Sequence, residues 1–534
     1  MLERGSGRIP SLRIGRIHSP PHLSIPDSRH SSPDRALAPL DLAVIVAYFA
    51  LTLGIGLWVS RSQASAGDYF LGARNLPALA VMLSIVATET SALTVISVPG
   101  IGARGDLTFL QLSFGYLIGR IGVAAWLLPG YFRGEQETAY QRLERRFGPG
   151  VRRMLSVIFL VTRFLGDSVR IFAGAIPLAL LTGWSAPTAI IAMGGVTLLY
   201  TWFGGLKAVV WADVLQLAVY VAGGIATLAV AATMAGGVGS VLQQASDAGK
   251  LTVFNPTFSF TTPYALLGAI LGGALLSAAS HGADHLIVQR LLATRSLRDA
   301  QRALIGSGVL VILQFALFLL VGTAIWAARL APEGMPGDTV LPRFVIEHLP
   351  MGLAGLMVAG ILAAAMSTQS SAISALASSM THDLYASITG RTEPGHLLAV
   401  GRAFSMVWGL ALIVGALAFA GSTTSHETPV VVLALSIASV TYGALLGAYL
   451  LAGAGPRLDG RAVMVGVGAT VAIMLVILFA ARLATWPGLA WLAPVGRLAW
   501  PWYVPLGTAI CLLTGWAASW RPRPGNQAAH GVRA

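Results

Sequence analysis

Long apolar runs recur along the chain from Leu37 onward, each about 20 residues long and nearly free of charged side chains. A helix rises 1.5 Å per residue, so a run of this length spans the hydrocarbon core of a bilayer. The pattern predicts thirteen membrane spans. They fall near residues 40–60, 78–100, 107–131, 154–181, 185–203, 210–236, 264–289, 303–328, 350–381, 397–420, 428–454, 462–482 and 500–520.

Composition agrees with this pattern. Of the 534 residues, 55% are hydrophobic and only 11% are charged, and the mean hydropathy is +0.73. Soluble folds do not repeat uncharged runs of this length, and a transmembrane β-barrel would show short alternating segments instead. We therefore expect an all-α polytopic membrane protein.

Residues 1–36 differ from the rest of the chain. They are rich in Arg, Ser and Pro and contain no apolar run that could act as a signal peptide. The sequence predicts a disordered basic tail here, or a start codon assigned too early, followed by a membrane domain at 37–523 and a short tail at 524–534. Arginines of the first segment contribute to the net charge of +13, so this charge does not indicate a nucleic-acid partner.

Basic residues predict the orientation of the chain. If the loop after the first span lies in the cytoplasm, most loop Lys and Arg residues fall on the cytoplasmic side. This distribution follows the positive-inside rule and predicts an external amino terminus and a cytoplasmic carboxyl terminus. The single cysteine, Cys511, can form no intramolecular disulfide.

The second span contains the stretch ATETSALTVISVPG, residues 87–100. Hydroxyl residues fill an otherwise apolar run, and Pro99 and Gly100 close it. Broken helices at membrane depth are tolerated where they line a cavity, and only there can backbone carbonyls reach an ion. The stretch therefore predicts an unwound turn.

The ninth span contains the stretch AAAMSTQSSA, residues 363–372. Ala364, Ser367 and Thr368 follow i, i+3, i+4 spacing, which places one carbonyl and two hydroxyls on a single helix face. Carbonyl and hydroxyl oxygens are the ligands of hard cations. The alternative is structural, because Ser and Thr also bond back to carbonyls one turn earlier and small residues mediate helix packing.

Several charged residues fall inside predicted spans, where they usually face a water-filled cavity or one another. They are Glu89, Arg120, Arg163, Asp167, Arg170, Asp213 and Asp284. A buried ion pair of Asp167 with Arg163 or Arg170, at helical spacing, is the structural alternative.

Five segments together resemble the sodium/solute symporter family, which includes bacterial proline, sialic acid and galactose carriers and the animal sodium/glucose carriers. They are DYFLGARNLP, ATETSALTVISVPG, GGLKAVVWADVLQ, DHLIVQRLLATRSLRDAQ and AAAMSTQSSA with DLY. The resemblance covers Leu37 to about Arg523 and implies a LeuT-type fold. Its inverted repeats would fall at about 78–236 and 264–454, with peripheral helices at 40–60, 462–482 and 500–520.

The resemblance also implies ion sites. Carried over by position, one sodium ion would bind the carbonyls of Ala87, Thr90 and Ala364 and the hydroxyls of Ser367 and Thr368. Some members of the family hold a second sodium ion, and matching residues are present here. They are Asp213, Ser367, Ser370 and Ser371.

The solute site implied by the resemblance lies between the broken regions. Its candidate residues are Glu89, Ser91, Thr94, Gln111, His281, Asp284, His285, Ser436 and Ser439. Glu89 and Asp284 would form an anionic centre, which favours a neutral polyol or a zwitterion over a dianion.

The predicted function is sodium-coupled symport of a small polar organic solute, such as a sugar, polyol or amino acid, into the cell by alternating access. The expected partners are Na+, the solute and the lipid bilayer, with no nucleic acid and no obligatory protein partner. The sequence carries no HExxH motif, phosphate-binding loop or nucleophile elbow, so we expect no enzyme. Two alternatives stay open: a proton-coupled carrier that uses Glu89, and a sensor that kept the carrier fold without transport.

Overall fold

The computed structural model describes residues 38–59, 65–134, 136–421, 430–453 and 458–520, without the side chains of residues 177, 180, 181, 421 and 430–437. The predicted tails at 1–36 and 524–534 lie outside this part of the chain. Within it, the secondary structure is helical and contains no strand, apart from one isolated bridge between Leu76 and Thr294.

The helices of the first half run in the following order. They are α1 (Pro39–Val59), α2 (Ala66–Leu71), α3 (Ala78–Glu89), α4 (Ala92–Arg104), α5 (Leu110–Gly122), α6 (Leu128–Tyr131), α7 (Gln141–Phe147), α8 (Pro149–Thr182), α9 (Ala186–Met234) and α10 (Val238–Asp247). A π-helical segment, Val123–Leu127, joins α5 to α6.

The second half continues in the same way. Its helices are α11 (Leu266–Gly282), α12 (His285–Leu292), α13 (Leu297–Ala327), α14 (Gly337–His348), α15 (Leu353–Ser379), α16 (Ser387–Thr389), α17 (Pro394–Gly421), α18 (Val430–Gly453), α19 (Gly460–Leu478), α20 (Ala480–Leu483) and α21 (Tyr503–Ser519). A second π-helical segment, Met380–Ala386, extends α15.

Each predicted span coincides with helical structure, but the number of crossings depends on how breaks are treated. Among the described residues, seven helical segments are long and apolar enough to cross a bilayer. The number rises to nine if each of two bent pairs of helices is counted as one additional span. Helices on the outside present large apolar side chains to their surroundings, among them Trp58, Leu410 and Val414. A bilayer accounts for this exposure, and the count of thirteen spans stays a prediction.

The predicted spans at 185–203 and 210–236 form one continuous helix, α9, with a kink at Gly205. Its φ of 56° and ψ of −159° are not helical, and few residues other than glycine adopt such a conformation. A Cβ at Gly205 would also lie 2.5 Å from the carbonyl oxygen of Tyr69. The kink thus needs glycine for both its backbone geometry and its packing.

Two spans are broken near their middle. The axes of α3 and α4 differ by 68°, and those of α11 and α12 by 59°. The first break lies at Thr90 and Ser91, whose backbones are extended. The predicted unwound turn is therefore present, but Pro99 does not end the helix, since α4 continues through it to Arg104.

Helix α15 lies at the centre of the bundle. Nearly every residue from Met357 to Ser379 is buried, mostly small side chains that allow neighbouring helices to approach. A carboxylate oxygen of Asp41 in α1 accepts hydrogen bonds from the amides of Gly352 and Gly355, both at 2.7 Å. These bonds satisfy N–H groups at the start of α15 and fix its position against α1.

Candidate functional site

The break between α3 and α4 leaves backbone acceptors without donors. Thr90 donates its N–H to the carbonyl of Val86 at 3.1 Å, and the next helical bond runs from Val95 to Ser91. Among the described residues, no backbone N–H outside the regular helices donates to the carbonyls of Ala87 or Thr90. Two carbonyl oxygens at membrane depth are therefore available to a ligand.

The break lies against the middle of α15. A Cβ built on Gly174 of α8 would be 2.7 Å from the Cβ of Ala365 and 3.4 Å from the Cβ of Ala92. One glycine thus touches both the start of α4 and the residue after Ala364. On the other side of the break, the hydroxyl of Thr88 at the end of α3 lies 3.0 Å from the hydroxyl of Ser371, further along α15. The structure therefore brings the two segments that carry the predicted ion ligands into contact.

The three ligands predicted on α15 are buried in that contact region. The hydroxyl of Thr368 lies 3.2 Å from the carbonyl of Ala364, to which it donates. The hydroxyl of Ser367 donates to a carboxylate oxygen of Asp213 at 2.6 Å, and its lone pairs are left for a cation. The bond from Thr368 to Ala364 is the structural role considered above for these hydroxyls. The geometry of this helix face is therefore compatible with that structural role and with cation binding.

Sequence analysis missed Gln314, which holds the break in place. Its side chain exchanges hydrogen bonds with the hydroxyl of Thr90 at 2.7 and 2.9 Å, and the hydroxyl of Tyr220 donates to it at 3.1 Å. A lone amide in the apolar run VILQFALFL of α13 is the pattern that could have indicated it. Such an amide rarely lies inside a span without a polar partner.

Asp213 is the centre of a buried polar cluster beside these residues. One carboxylate oxygen accepts from Ser367, and the other from Ser84 at 2.6 Å and Thr88 at 3.3 Å. The second oxygen also lies 3.3 Å from the guanidinium of Arg290, and both charged side chains are fully buried. The predicted span at 264–289 ends one residue before Arg290, but the break at residues 283–284 redirects α12, and Arg290 is buried inside the bundle.

A cavity lies next to the break, and on α8 it is lined by Arg163 and Arg170. Its volume is about 220 Å³, which suits a small solute rather than a peptide. The polar and aromatic residues that line it are Thr88, Glu89, Ser91, Thr94, Ser97, Phe109, Tyr116, Arg163, Arg170, Tyr264, Ser277, Ser280, His281, Phe315, Tyr442 and Trp500.

The two carboxylates expected to make an anionic centre do not do so. Glu89 forms an ion pair with the fully buried guanidinium of Arg120, and its carboxylate lies 3.7 Å from His281. Asp284 accepts bonds of 3.1 and 2.8 Å from Arg163 and is buried. Each of these two carboxylates is therefore neutralised by an arginine. The expectation that they form an anionic centre, which favoured a polyol or a zwitterion as the solute, is wrong.

The predicted solute residues separate into two groups. Glu89, Ser91, Thr94 and His281 line the cavity. Gln111, Asp284, His285 and Ser439 are not among the described residues that line it.

Gln111 lies at the start of α5, where its amide nitrogen donates to the carbonyls of Thr108 and Tyr264. Its amide oxygen accepts from the backbone of Asn255 at 3.1 Å. These bonds tie a loop to the bundle. Ser439 is buried, and its hydroxyl has no hydrogen-bond partner among the described residues.

Asp284 caps α12 by accepting a bond of 2.8 Å from the amide of Leu286, in addition to its pair with Arg163. His285 is buried between Ser378, at 3.1 Å, and the amide of Ala139, at 3.3 Å. The side chain of Ser436 lies outside the described residues.

Asp167 pairs with both of the arginines proposed for it. Its carboxylate lies 3.1 Å from Arg170 and 3.7 Å from Arg163, although Arg163 makes its shorter bonds to Asp284. The structural alternative for Asp167 is thus present. Arg170 keeps 21% of its side chain exposed and also lines the cavity.

A polar cluster surrounds Arg152 near the start of α8, and we call it the Arg152 layer. Arg152 donates to Asp383 at 2.7 Å, to Glu144 at 2.6 Å and to the carbonyl of His382 at 2.8 Å. Thr138 and Ser379 donate to the same Asp383 carboxylate. These contacts tie the starts of α7 and α8 to the π-helical segment that extends α15.

Glu137 completes this layer from the loop before α7. Its carboxylate lies 2.6 Å from a ring nitrogen of His382. Burial alone would raise the pKa of Glu137, but the hydrogen bond with His382 and the charges of His382, Arg74 and Arg152 together hold that pKa below its usual value. At neutral pH, Glu137 is therefore ionised and can keep this contact.

Comparison with known sequences gives one consistent result. The profile of the sodium:solute symporter family matches residues 69–484. The human sodium/iodide cotransporter is 30% identical over 466 residues, covering 83% of this chain and 70% of its own length. The sodium/sialic acid symporter NanT of Aliivibrio fischeri (strain ATCC 700601 / ES114) is 26% identical over 492 residues, covering 90% of this chain and 93% of its own.

Among solved structures, a Na+-coupled sialic acid symporter in a substrate-bound outward-open state superposes with a TM-score of 0.80. The match covers 90% of this chain and 98% of that one, at 23% sequence identity. The fold is thus shared, and the prediction of an all-α polytopic membrane protein of the LeuT type is confirmed.

Proposed function

The chain belongs to the sodium:solute symporter family, and from this premise we propose that it imports a small polar organic solute together with Na+ by alternating access. Members of the family are transporters, and the chain is a multi-pass membrane protein. The coupling ion is Na+. The identity of the solute, the ion ligands and the direction of transport belong to the proposal.

One structural observation is the main support for this proposal. The carbonyls of Ala87 and Thr90 accept no bond from a backbone N–H outside the regular helices of the described residues, and the break that carries them packs against the part of α15 that contains Ser367 and Thr368. Neutral oxygens from two separate helices bind a monovalent cation only while the helices are together, so the ion stabilises one arrangement of the bundle over others. We assign the sodium ion to these oxygens and to the carbonyl of Ala364.

We place the solute in the cavity beside the ion. Ser91 and Thr94 lie on the first turn of α4, directly after the break, with their hydroxyls 3.4 Å apart. Glu89 and His281 line the same cavity from α3 and α11. A solute held there would contact the segment whose carbonyls bind sodium, which links the two binding events. Hydroxyl, carboxylate and imidazole groups suit a sugar, a polyol, an amino acid or a related organic acid.

The names of the relatives cover both anions and neutral sugars. They include carriers of iodide, sialic acid, monocarboxylates and glucose. Since Glu89 and Asp284 are each neutralised by an arginine, the cavity has no excess of negative charge to repel an organic anion. We therefore add organic acids to the solutes proposed from the sequence.

The proposed cycle needs no covalent chemistry. Sodium binds while the cavity is open and the Arg152 layer is closed, and it fixes the break against α15. The solute then binds to the ordered site. Opening of the Arg152 layer releases both, and coupling comes from the different affinities of the two states. The membrane potential contributes about 2.3 kcal/mol per charge per 100 mV.

We propose that the Arg152 end faces the cytoplasm, as the distribution of basic residues predicts. Sodium and solute would then enter from the outside, and their gradient would drive accumulation. A proton-coupled role for Glu89 is not favoured, because protonation would have to break its pair with Arg120. The sensor alternative is also not favoured, because the family to which the chain belongs consists of symporters.

Uptake into proteoliposomes tests this function. Radiolabelled sialic acid, lactate and glucose are supplied with an inward sodium gradient, an inward potassium gradient or an inward proton gradient. We expect accumulation of one of the three classes with sodium alone, and its loss in the Ser367→Ala/Thr368→Ala variant. Uptake driven equally by the proton gradient, or retained in the variant, would refute sodium coupling at this site.

A further inference from the structure

An open groove runs along the outside of the bundle at the end of α19. Its lining residues recur at three- and four-residue spacing, which places them on one helical face. They are Leu475, Val476, Phe479, Arg482, Leu483 and Trp486, and we call the space between them the α19 groove. Its volume is about 390 Å³, and Leu475, Phe479 and Trp486 are 44%, 51% and 61% exposed. Nothing in the described part of the chain covers these apolar side chains.

The groove lies at a membrane surface. Helix α19 is long and apolar enough to cross a bilayer, and its 19 residues correspond to about 28 Å. At its start, a Cβ on Gly460 would lie 2.5 Å from the carbonyl oxygen of Phe147, which is close to Arg152 in the sequence. The other end of α19 therefore lies at the membrane surface opposite to the Arg152 layer. An exposed tryptophan such as Trp486 is typical of the level of the lipid headgroups.

Two arginines lie at this end of α19. Arg482 is part of the groove lining, and Arg497 follows Gly496, whose Cβ position lies 2.7 Å from the backbone nitrogen of Ala481. Both arginine side chains are exposed, and neither has a hydrogen bond or an ion pair among the described residues. Residues 460–534 contain no Asp or Glu, so the surrounding segment supplies no counter-ion. An anion from outside the chain can therefore neutralise both charges.

An anionic phospholipid has the chemistry that matches this surface. Its headgroup phosphate accepts paired hydrogen bonds from a guanidinium. Its acyl chain follows the apolar stripe from Phe479 to Leu475, because this stripe runs from the membrane surface into the hydrocarbon region. A zwitterionic lipid brings its own cation and leaves the arginines without net compensation, and a soluble anion leaves the apolar stripe uncovered.

We propose that the α19 groove binds one anionic phospholipid, with the headgroup on Arg482 and Arg497 and an acyl chain along Phe479, Val476 and Leu475. This site is separate from the ion and solute sites and goes beyond the proposed function. With the Arg152 end in the cytoplasm, the lipid belongs to the outer leaflet, on the side where the sequence places few basic residues.

Lipid titrations of thermal stability test the proposal. Purified full-length protein, freed of lipid in a non-ionic detergent, receives phosphatidylglycerol, phosphatidylcholine with the same acyl chains, or glycerol phosphate, and the concentration at half-maximal stabilisation is compared. The variants are Arg482→Gln/Arg497→Gln and the control Arg298→Gln/Arg302→Gln, which removes two exposed arginines of α13.

We expect the native chain to bind phosphatidylglycerol at least about tenfold more tightly than phosphatidylcholine, and glycerol phosphate to have no effect. A basic residue near a charged lipid changes the affinity about fivefold, so Arg482→Gln/Arg497→Gln should weaken phosphatidylglycerol binding about 30-fold. The control should leave it unchanged. If the double variant does not fold, Arg482→Gln alone takes its place, with an expected loss of about fivefold.

Equal affinities of the native chain for the two lipids would overturn the proposal. The same loss in the control variant would also overturn it, because binding would then follow net charge alone. Equal stabilisation by glycerol phosphate would refute a lipid site, since the apolar stripe would contribute nothing. A native dimer that Phe479→Ala dissociates, without any lipid preference, would assign the groove to a second copy of the chain.

Discussion

Enlarging Gly174 should weaken sodium binding without touching any proposed ligand. An alanine at this position places a methyl carbon 2.7 Å from the Cβ of Ala365 and 3.4 Å from the Cβ of Ala92. Carbon atoms pack at about 3.5–4.0 Å, so α15 has to move away from α8 by about 1 Å. Ala364 moves with it, and hard cations keep their oxygen ligands within a few tenths of an ångström of one distance.

The magnitude follows from overpacking energies. Inserting a methyl group into a packed interior costs about 1–3 kcal/mol. Without sodium, α15 can relax away from Gly174→Ala, whereas the bound ion draws the break and α15 together again. If the ion-bound state carries this strain, the dissociation constant for sodium rises about 5-fold to 150-fold.

The assay is a sodium titration of thermal stability in detergent, at constant ionic strength with potassium as the replacement ion. The sodium concentration at half-maximal stabilisation is the quantity compared. Gly195→Ala in α9 is the matched control, because a Cβ there meets nothing within 4 Å. We expect its midpoint to equal that of the native chain. A lower melting temperature for Gly174→Ala with an unchanged sodium midpoint would refute the argument, since Gly174 would then matter for packing alone.

Three further predictions concern the ion pair of Glu89 with Arg120 and the contacts of the Arg152 layer. Arg120→Gln leaves Glu89 without its buried partner. Because Glu89 is 19% exposed, we expect a loss of stability at the lower end of about 3–5 kcal/mol, and adding Glu89→Gln should largely restore it. Equal melting temperatures of the single and double variants would contradict this. Arg152→Gln should open the Arg152 layer, so that a cysteine placed at the buried Ser378 reacts with a maleimide at least tenfold faster. The native cysteine is buried and adds little background. An unchanged rate would show that other contacts keep this layer closed. Since the pKa of Glu137 is lowered, its contact is complete above the ordinary value of about 4.3 and is lost only as the pH falls through the lowered value. The Ser378 cysteine should therefore stay protected from about pH 8 to about pH 6, and a rise in labelling across that range would contradict the assignment.

Hydrophobic runs predicted the helices well, because a span must satisfy its own backbone and must be apolar over a fixed length. The break at Thr90 and Ser91 was also predictable, since β-branched and hydroxyl residues replace the usual apolar ones there. Pro99 was misleading. It lies inside α4, and a proline within a span is tolerated where neighbouring helices compensate for its lost hydrogen bond.

The partners of the charged residues could not be predicted in the same way. Arg120 with Glu89, and Arg163 with Asp284, join helices that are distant in sequence, and only the packing of the bundle brings them together. Arg290 lies just after the predicted span at 264–289, because the hydropathy pattern ends the span there. Its burial depends on the break in front of α12, which redirects the helix into the interior.

The central claim is that sodium binds between the break and α15. Its most direct test is the melting temperature of the purified protein in sodium chloride against potassium chloride at equal ionic strength, for the native chain and for Ser367→Ala/Thr368→Ala. A ligand that binds only the folded state raises the melting temperature by mass action. The account predicts a sodium-specific rise that the double variant loses, whereas a rise of the same size in the variant, or none in the native chain, would contradict it.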